Sequence, residues 1–274
     1  MRRWQITMRC AVLGDPIVHS LSPVLHRAGY VATGLDWEYG AVRVPAGGLA
    51  AYVGGLGVDW RGLSVTAPLK REALEHADTV SATAERAGAA NTLVRDGSGW
   101  VADNTDVPGA VAALQERTAE PLVVATILGG GATAASTALA LCDLGVGSLT
   151  LLVRSPDRAA ETLAAIDRHP ARPAVRVGSL AADPVVGDVV VSTIPAAAQT
   201  PDLVARCADV PVVFDVLYDP WPTPLAASAG DRVLVGGLDL LVHQAVLQFE
   251  LFTGRAAPVD AMRAAGAQAR AERS

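Results

Sequence analysis

The chain has 274 residues, of which 51% are hydrophobic and 18% charged, and its 22 basic and 28 acidic side chains leave a net charge of −6. That length accommodates one large domain or two of ordinary size, and the composition excludes an extended disordered chain. A mildly acidic balance without a basic block argues against nucleic acid or an anionic membrane as partner.

Three cysteines, Cys10, Cys142 and Cys207, are widely spaced and form no CxxC pair. They make neither a disulfide framework nor a zinc site, and point to a reducing, cytoplasmic compartment with no metal expected. The start, MRRW, is basic, but no apolar core of signal-peptide length follows. The interpretable pattern begins near Met8, so residues 1–7 read as an extension or a misassigned start.

In chain order, an apolar run at 10–13 ends at Gly14-Asp15-Pro16 and predicts a strand. A helix is expected from Ser22-Pro23 to Thr33, with Ser22 as N-cap and Gly34 as stop. Residues 37–44 read as a strand, 49–56 as a short helix, 63–66 as a strand and 69–77 as a helix. Two apolar stretches, 92–94 and 100–101, flank Asp96-Gly97 and predict a hairpin.

After Asp106 a second unit begins, with a helix over 107–117. Residues 121–142 carry no charge and are long enough to span a bilayer, but Gly129-Gly130-Gly131 interrupts them. Strand (122–128), turn and buried helix (132–144) is the better reading. Short apolar strands follow at 149–153, 174–177, 189–192, 212–216 and 233–235. Strands alternating with helices indicate a doubly wound parallel sheet. The tail holds two helices, 238–252 and 258–270.

LGGGATA follows a strand and opens a helix, as a glycine turn for a pyrophosphate does; a tight turn without ligand stays open as an alternative. No acid stands at the tip of the next strand. Arg154 and Arg158, four apart, suit the 2′-phosphate of NADP rather than the bare ribose of NAD, with ordinary surface arginines as the bland reading. Asp157 is a candidate helix cap. In GDPIVHSLSP, Ser20 and Ser22 place two hydroxyls at a strand-to-helix loop, fit for a carboxylate or for plain capping. His19 and His26 read as packing or loop-bonding residues rather than metal ligands. Lys70 lies just past an apolar strand, and Asp106 at the domain junction has its own alternative as N-cap of the following helix. If the two meet across a cleft, a cationic donor oriented by a carboxylate supplies what carbonyl reduction needs.

Together GDPIVHSLSP, SVTAPLK, GAANTL, DNTD, LGGGATA, VRSPDRA, STIP, YDPWPTPL and LVHQA, in this order, resemble the shikimate dehydrogenase family over about 8–263. The resemblance implies two α/β domains. Residues 1–106 with 238–274 would form a substrate-binding catalytic domain, and 107–237 a Rossmann-like NADP-binding domain. It implies NADPH-dependent reduction of 3-dehydroshikimate to shikimate in aromatic amino acid biosynthesis, with Lys70 and Asp106 as catalytic pair. Ser20 and Ser22 would hold the substrate carboxylate, Thr66, Asn91, Asp106 and Gln244 the ring hydroxyls, and Tyr218 would close the pocket. Gly129, Gly131, Ala132 and Ala134 would form the phosphate turn. Arg154, Ser155 and Arg158 would hold the 2′-phosphate, with Thr193 and Gly237 near the nicotinamide. A small-molecule substrate is the implied partner, and a homodimer is the assembly left open.

Arg27, Ala67, Val153 and Leu240 depart from the family's usual residues and bear on affinity and cofactor preference. A quinate/shikimate dehydrogenase using NAD is the neighbouring alternative. A catalytically silent NADP-binding sensor is the alternative from another class.

Overall fold

The computed structural model describes residues 7–273; the basic start at 1–6 lies outside the described residues. The chain forms two compact units. The first takes the described residues up to Glu85, then Ala89–Thr105 and Ala245–Arg273; the second takes Arg86–Gly88 and Asp106–Gln244.

In the first unit, β1 (Arg9–Gly14), α1 (Ser22–Ala32), β2 (Glu38–Arg43), α2 (Leu49–Gly54), β3 (Trp60–Val65) and α3 (Lys70–His76) alternate. Then come β4 (Thr79–Val80), α4 (Ala82–Ala87, whose last two residues belong to the second unit) and the hairpin β5 (Thr92–Asp96) and β6 (Gly99–Asp103). The sheet order is β2-β1-β3-β5-β6-β4. Strands β1, β2 and β3 run parallel, and β5 runs antiparallel to both β3 and β6. The hairpin falls where Asp96-Gly97 placed it, with Gly97 at φ 59°. The core of this unit gathers Leu13, Leu49, Leu63, Leu69 and Leu93, each fully buried.

The second unit runs α5 (Asp106–Arg117), β7 (Val124–Leu128), α6 (Ala132–Asp143), β8 (Ser148–Val153), α7 (Ala160–Asp167), β9 (Ala174–Ser179) and β10 (Val189–Ser192). It continues through α8 (Pro201–Arg206), β11 (Val212–Asp215), α9 (Pro224–Ala227) and β12 (Val233–Gly236). The six strands lie in the order β12-β11-β10-β7-β8-β9, all parallel, which is the order of a doubly wound dinucleotide fold. The uncharged segment 121–142 is strand, turn and helix, and every residue of α6 from Ala134 to Cys142 is buried. Among the described residues no helix is long and apolar enough to cross a membrane.

The tail consists of α10 (Gly237–Thr253) and α11 (Val259–Ala271). The change from second to first unit falls inside α10, between Gln244 and Ala245. In the first unit α10 lies close on its neighbours: a Cβ on Gly62 of β3 would stand 2.1 Å from Phe252 Cδ1, and one on Gly29 of α1 2.8 Å from Phe249 Cε2.

Candidate active site

In the first unit the sheet brings three segments together at one end. The amide of Thr66 donates to Leu13 O (2.9 Å) and that of Asp15 to Ala67 O (3.0 Å), tying the loop after β1 to the loop after β3. The amide of Val65 donates to Asn91 O (2.7 Å) and that of Ala90 to Lys70 O (2.8 Å), adding the segment that enters β5. Thr66, Lys70 and Asn91 are therefore neighbours at the carboxyl ends of β1 and β3, where open α/β sheets bind ligands.

Ser20 and Ser22 belong to the loop leaving β1, and their roles differ from plain capping by Ser22. The N-cap of α1 is Leu21, without a side-chain cap bond, and Ser22 is the first helical residue. It is Ser20 whose hydroxyl accepts from the amide of Ser22, at 3.3 Å. The Ser22 side chain does not cap the helix; with Ser22 N taken by Ser20 Oγ, Pro23 lacking an N–H, and Val24 N and Leu25 N donating to Leu21 O, the polar groups at the start of α1 are the serine hydroxyls. His26 is buried in this unit, its ring stacked on Tyr39 at 4.2 Å, which is the packing role expected of it.

Asn91 is 3% exposed and held on several sides. Its Oδ1 accepts from Thr105 N and from Thr92 Oγ1, both at 2.8 Å, and its Nδ2 donates to Thr105 Oγ1 at 2.9 Å. Asn104 adds an Nδ2 donation to Ala89 O at 2.8 Å. DNTD is thus a buried hydrogen-bonding clasp around the GAANT turn, more than the helix start that spacing alone suggests.

Asp106, Gln244 and Tyr218 belong to the second unit. Asp106 opens α5 and is 8% exposed. One turn on, Gly109 faces Gln244: a Cβ there would stand 3.0 Å from the Cβ of Gln244. Gln244 is 7% exposed, so it does not face solvent, and its Nε2 donates to Leu241 O. Tyr218 follows β11 in a loop tied down by Asp215. That fully buried carboxylate accepts from Leu217 N (3.1 Å), Gln199 Nε2 (2.8 Å) and Thr223 Oγ1 (2.6 Å). Burial pushes the Asp215 carboxyl up from its usual range, against the three hydrogen bonds that favour its charge. A Cβ on Gly237 would stand 2.4 Å from Leu217 O, so the start of α10 lies against the Tyr218 loop. Asp239 fixes that start, accepting from Gly236 N at 2.9 Å and from Arg117 Nη2 at 2.7 Å.

The glycine turn borders a cavity of about 300 Å³ lined by Gly129, Gly130, Gly131, Arg154, Arg158 and Thr193, together with Val153, Asp157, Glu161 and Ile194. Gly129 has φ 112°, a conformation L residues rarely adopt, and a Cβ there would meet Thr193 Oγ1 at 2.3 Å. Gly130 was not singled out by spacing, yet its Cβ would stand 2.1 Å from Arg158 O. Only a glycine lets this turn and the Arg158 segment approach. Gly131 caps α6 and has open space where a Cβ would go. Ala134 is fully buried, so it packs helix on sheet, while Ala132 is half-buried at the helix start. Ser155 precedes a short 3-10 turn (Pro156–Ala159) and makes no side-chain cap bond; Asp157 does not cap either, but lines the cavity.

These residues fit a phosphorylated dinucleotide. Backbone N–H groups at the start of a twelve-residue helix face the space beside Gly131, and two guanidinium groups stand where an acid would hold an unphosphorylated ribose. Among the described residues no cluster of metal-ligating side chains occurs.

Residues 12–93 match the model of the shikimate dehydrogenase substrate binding domain, and 237–265 that of the shikimate 5′-dehydrogenase C-terminal domain. A shikimate dehydrogenase (NADP(+)) of Moorella thermoacetica is 37% identical over 266 residues, covering 92% of this chain and 90% of that protein. This chain belongs to the shikimate dehydrogenase family.

A shikimate dehydrogenase crystal structure from Mycobacterium tuberculosis is similar with TM-score 0.84 and 42% identity, over 96% of this chain and 99% of that one. A quinate dehydrogenase from Corynebacterium glutamicum, solved with NAD, has the same TM-score at 28% identity, over 96% of this chain and 99% of that one. Arg27 donates from Nε to Tyr39 O at 2.8 Å on the edge strand β2. Ala67 is exposed, Val153 lines the cavity, and Leu240 joins the core of the second unit.

Proposed function

We propose that the chain catalyses the reversible NADP-dependent reduction of 3-dehydroshikimate to shikimate. The observation that carries this reading is the cavity over the glycine turn, with Arg154 and Arg158 on its wall, in a chain of this family. The first unit carries most of the substrate residues and the second the NADP residues; the domain limits read from the sequence, 1–106 plus 238–274 and 107–237, differ from the two units at Arg86–Gly88, at Asp106 and over 238–244, which belong to the second.

Bound NADPH supplies the hydride that reduces the carbonyl carbon. The ammonium of Lys70 hydrogen-bonds the carbonyl oxygen and gives it the proton that completes the hydroxyl; in the reverse direction it takes that proton back. The carboxylate of Asp106 orients the reacting groups. Ser20 and Ser22 hold the substrate carboxylate, Thr66, Asn91 and Gln244 its ring hydroxyls, and Tyr218 covers it. Gly129, Gly131, Ala132 and Ala134 shape the pyrophosphate turn, with Gly130 letting it close. Arg154, Ser155 and Arg158 would hold the 2′-phosphate, and Thr193 and Gly237 would hold the nicotinamide end. The three cysteines are free and buried, which suits a reducing cytoplasm. A homodimer is part of the proposal and is measured by sedimentation equilibrium.

The test is a four-way steady-state assay of shikimate and quinate, each with NADP+ and NAD+. Shikimate with NADP+ should give the highest kcat/KM; a preference for quinate with NAD+ would overturn the assignment in favour of the neighbouring activity. Lys70→Ala in the same assay should lower kcat by about 10²-fold or more while leaving NADP+ binding in place. Undiminished turnover would remove Lys70 from the chemistry.

A further inference from the structure

Six buried polar side chains form one hydrogen-bonded line through the first unit. The hydroxyls of Tyr39 and Ser64 meet at 2.5 Å, and Ser64 donates to Gln248 Oε1 at 2.6 Å. Gln248 Nε2 donates to Thr92 Oγ1 at 2.8 Å and to Asn91 O at 3.0 Å. Thr92 Oγ1 donates to Asn91 Oδ1 at 2.8 Å, and Asn91 Nδ2 to Thr105 Oγ1 at 2.9 Å. Thr92 is 0% and Gln248 1% exposed, so water does not compete for these groups.

Donor and acceptor identity along the line is forced by its backbone members. Asn91 O can only accept, so the amide nitrogen of Gln248 must face it, and the oxygen of Gln248 is turned to Ser64. The same nitrogen fills the lone pair of Thr92 Oγ1, and the hydroxyl hydrogen of Thr92 is committed to Asn91 Oδ1. The amide N–H of Thr105, which can only donate, meets that Oδ1 independently at 2.8 Å. The oxygen of Asn91 thus accepts three times within the protein, from Thr92 Oγ1, Thr105 N and, at 3.2 Å, Thr105 Oγ1, and the NH2 group, which donates to Thr105 Oγ1, forms the other side of the amide.

The depth of Gln248 is also set. It lies on α10 beside Phe249 and four residues before Phe252, which sit against Gly29 and Gly62 where no Cβ intervenes. The line ends next to the lysine loop, since Ala90, adjoining Asn91, donates to Lys70 O.

We propose that Gln248 and Thr92 are positioning residues that hold the Asn91 amide with its nitrogen toward the substrate, so that Asn91 meets a ring hydroxyl as donor and leaves that hydroxyl's own hydrogen for another acceptor. This rests on the reading that Asn91 contacts the substrate. Neither Gln248 nor Thr92 touches substrate; they act through Asn91.

The experiment is a kinetic double-mutant cycle on the full chain with shikimate and NADP+. Thr92→Val keeps the shape and removes the hydroxyl, and Gln248→Glu replaces the donating nitrogen by an oxygen facing Asn91 O. Each should lower kcat/KM for shikimate about tenfold with NADP+ affinity unchanged, and Thr92→Ser should restore most of the loss. Asn91→Ala combined with Thr92→Val should cost no more than Asn91→Ala alone, because the threonine has no other route to the substrate. Additive losses in the double variant, failure of serine to rescue, or wild-type kcat/KM in Thr92→Val would each overturn the proposal. If Thr92→Val does not fold, Gln248→Glu with Asn91→Ala completes the same cycle. Wild-type kcat/KM in Asn91→Ala would also overturn it while leaving the proposed activity standing; absence of shikimate turnover in the wild type would instead sink the activity.

Discussion

His26 lies on α1 with both ring nitrogens buried and without a hydrogen-bond partner among the described residues. Its ring is parallel to that of Tyr39, within 8° at 4.2 Å, so it serves as an aromatic plate whose polar atoms are a liability. Burial pushes its pKa from 6.5 down to about 3, against a smaller opposing effect of the neighbouring Gln248 amide. Above the unfolded value both states are neutral and the group adds no pH dependence. Below it the unfolded chain binds a proton that the folded chain refuses, so stability falls as the pH drops from 6.5 toward about 3. His26→Phe keeps the stacking and removes both orphaned nitrogens. We expect it to stabilise the protein by about 1 kcal/mol near pH 7. It should also flatten the decline in melting temperature between about pH 7 and about pH 5. Parallel melting curves for the two proteins would show that another group carries the acid sensitivity.

The same residue marks what was legible in the sequence at this scale. A packing histidine was the correct expectation for His26, because a lone histidine without a ligand set has few other roles. The placement of Lys70 and Arg154 was legible as well: Lys70 opens the helix that follows β3, and Arg154 directly follows β8. Gln248 was not, although it is four residues after Gln244 on one helix. Its partners, Ser64 and Thr92, are 184 and 156 residues away in sequence, and no local pattern announces them.

At the scale of elements, strongly periodic segments appeared within one to three residues of their expected limits. The strand expected over 63–66 begins at Trp60, because Trp60 and Gly62 pair with β1 and a register partner is invisible to hydropathy. The two-residue β4 and the helices α4, α7, α8 and α9 were not expected from the sequence, although α2, no longer than α4 or α8, was. The glycine turn shows the same limit. Gly129 and Gly131 follow from the motif, whereas the need for glycine at Gly130 comes from Arg158 O, which only the folded βαβ unit brings near. The two neighbours separate stability from binding. Gly130→Ala forces backbone apart and should cost about 1–3 kcal/mol of stability in the absence of any cofactor. Gly131→Ala meets nothing within 4 Å and should leave the melting temperature unchanged. Its methyl group enters the cavity beside the start of α6, however, and should weaken NADP+ about tenfold by denying the pyrophosphate its approach to the backbone. Thermal melts without ligand, set beside NADP+ titrations, check both; equal effects on stability would contradict the steric difference between the two positions.

For the whole molecule, the two units have separate cores, and on the proposed function NADP+ contacts the second unit while shikimate draws on the loops of the first together with Asp106, Tyr218 and Gln244. A ligand that binds only the folded state stabilises it by about 2.7 kcal/mol at a concentration a hundredfold above its Kd. That stabilisation should appear as slowed amide exchange where the ligand's contacts lie, since local opening there must first release it. NADP+ alone should protect the end of β7, the first turns of α6 and the segment from the end of β8 through Arg158. Shikimate alone should protect the loops at 14–22, 66–70 and 89–91 and leave the glycine turn at its ligand-free rate. Helix α10 is the informative element, because Gln244 belongs to one unit and Gln248 to the other. If Gln244 contacts the substrate hydroxyls and Gln248 holds Asn91, shikimate should slow exchange along the middle of α10 on both sides of the change-over, where NADP+ should act only near Gly237. Hydrogen exchange read by mass spectrometry on the intact chain, with each ligand singly, tests this directly. Protection of the glycine turn by shikimate alone, or of the serine loop by NADP+ alone, would mean that the ligands are not divided between the units as proposed.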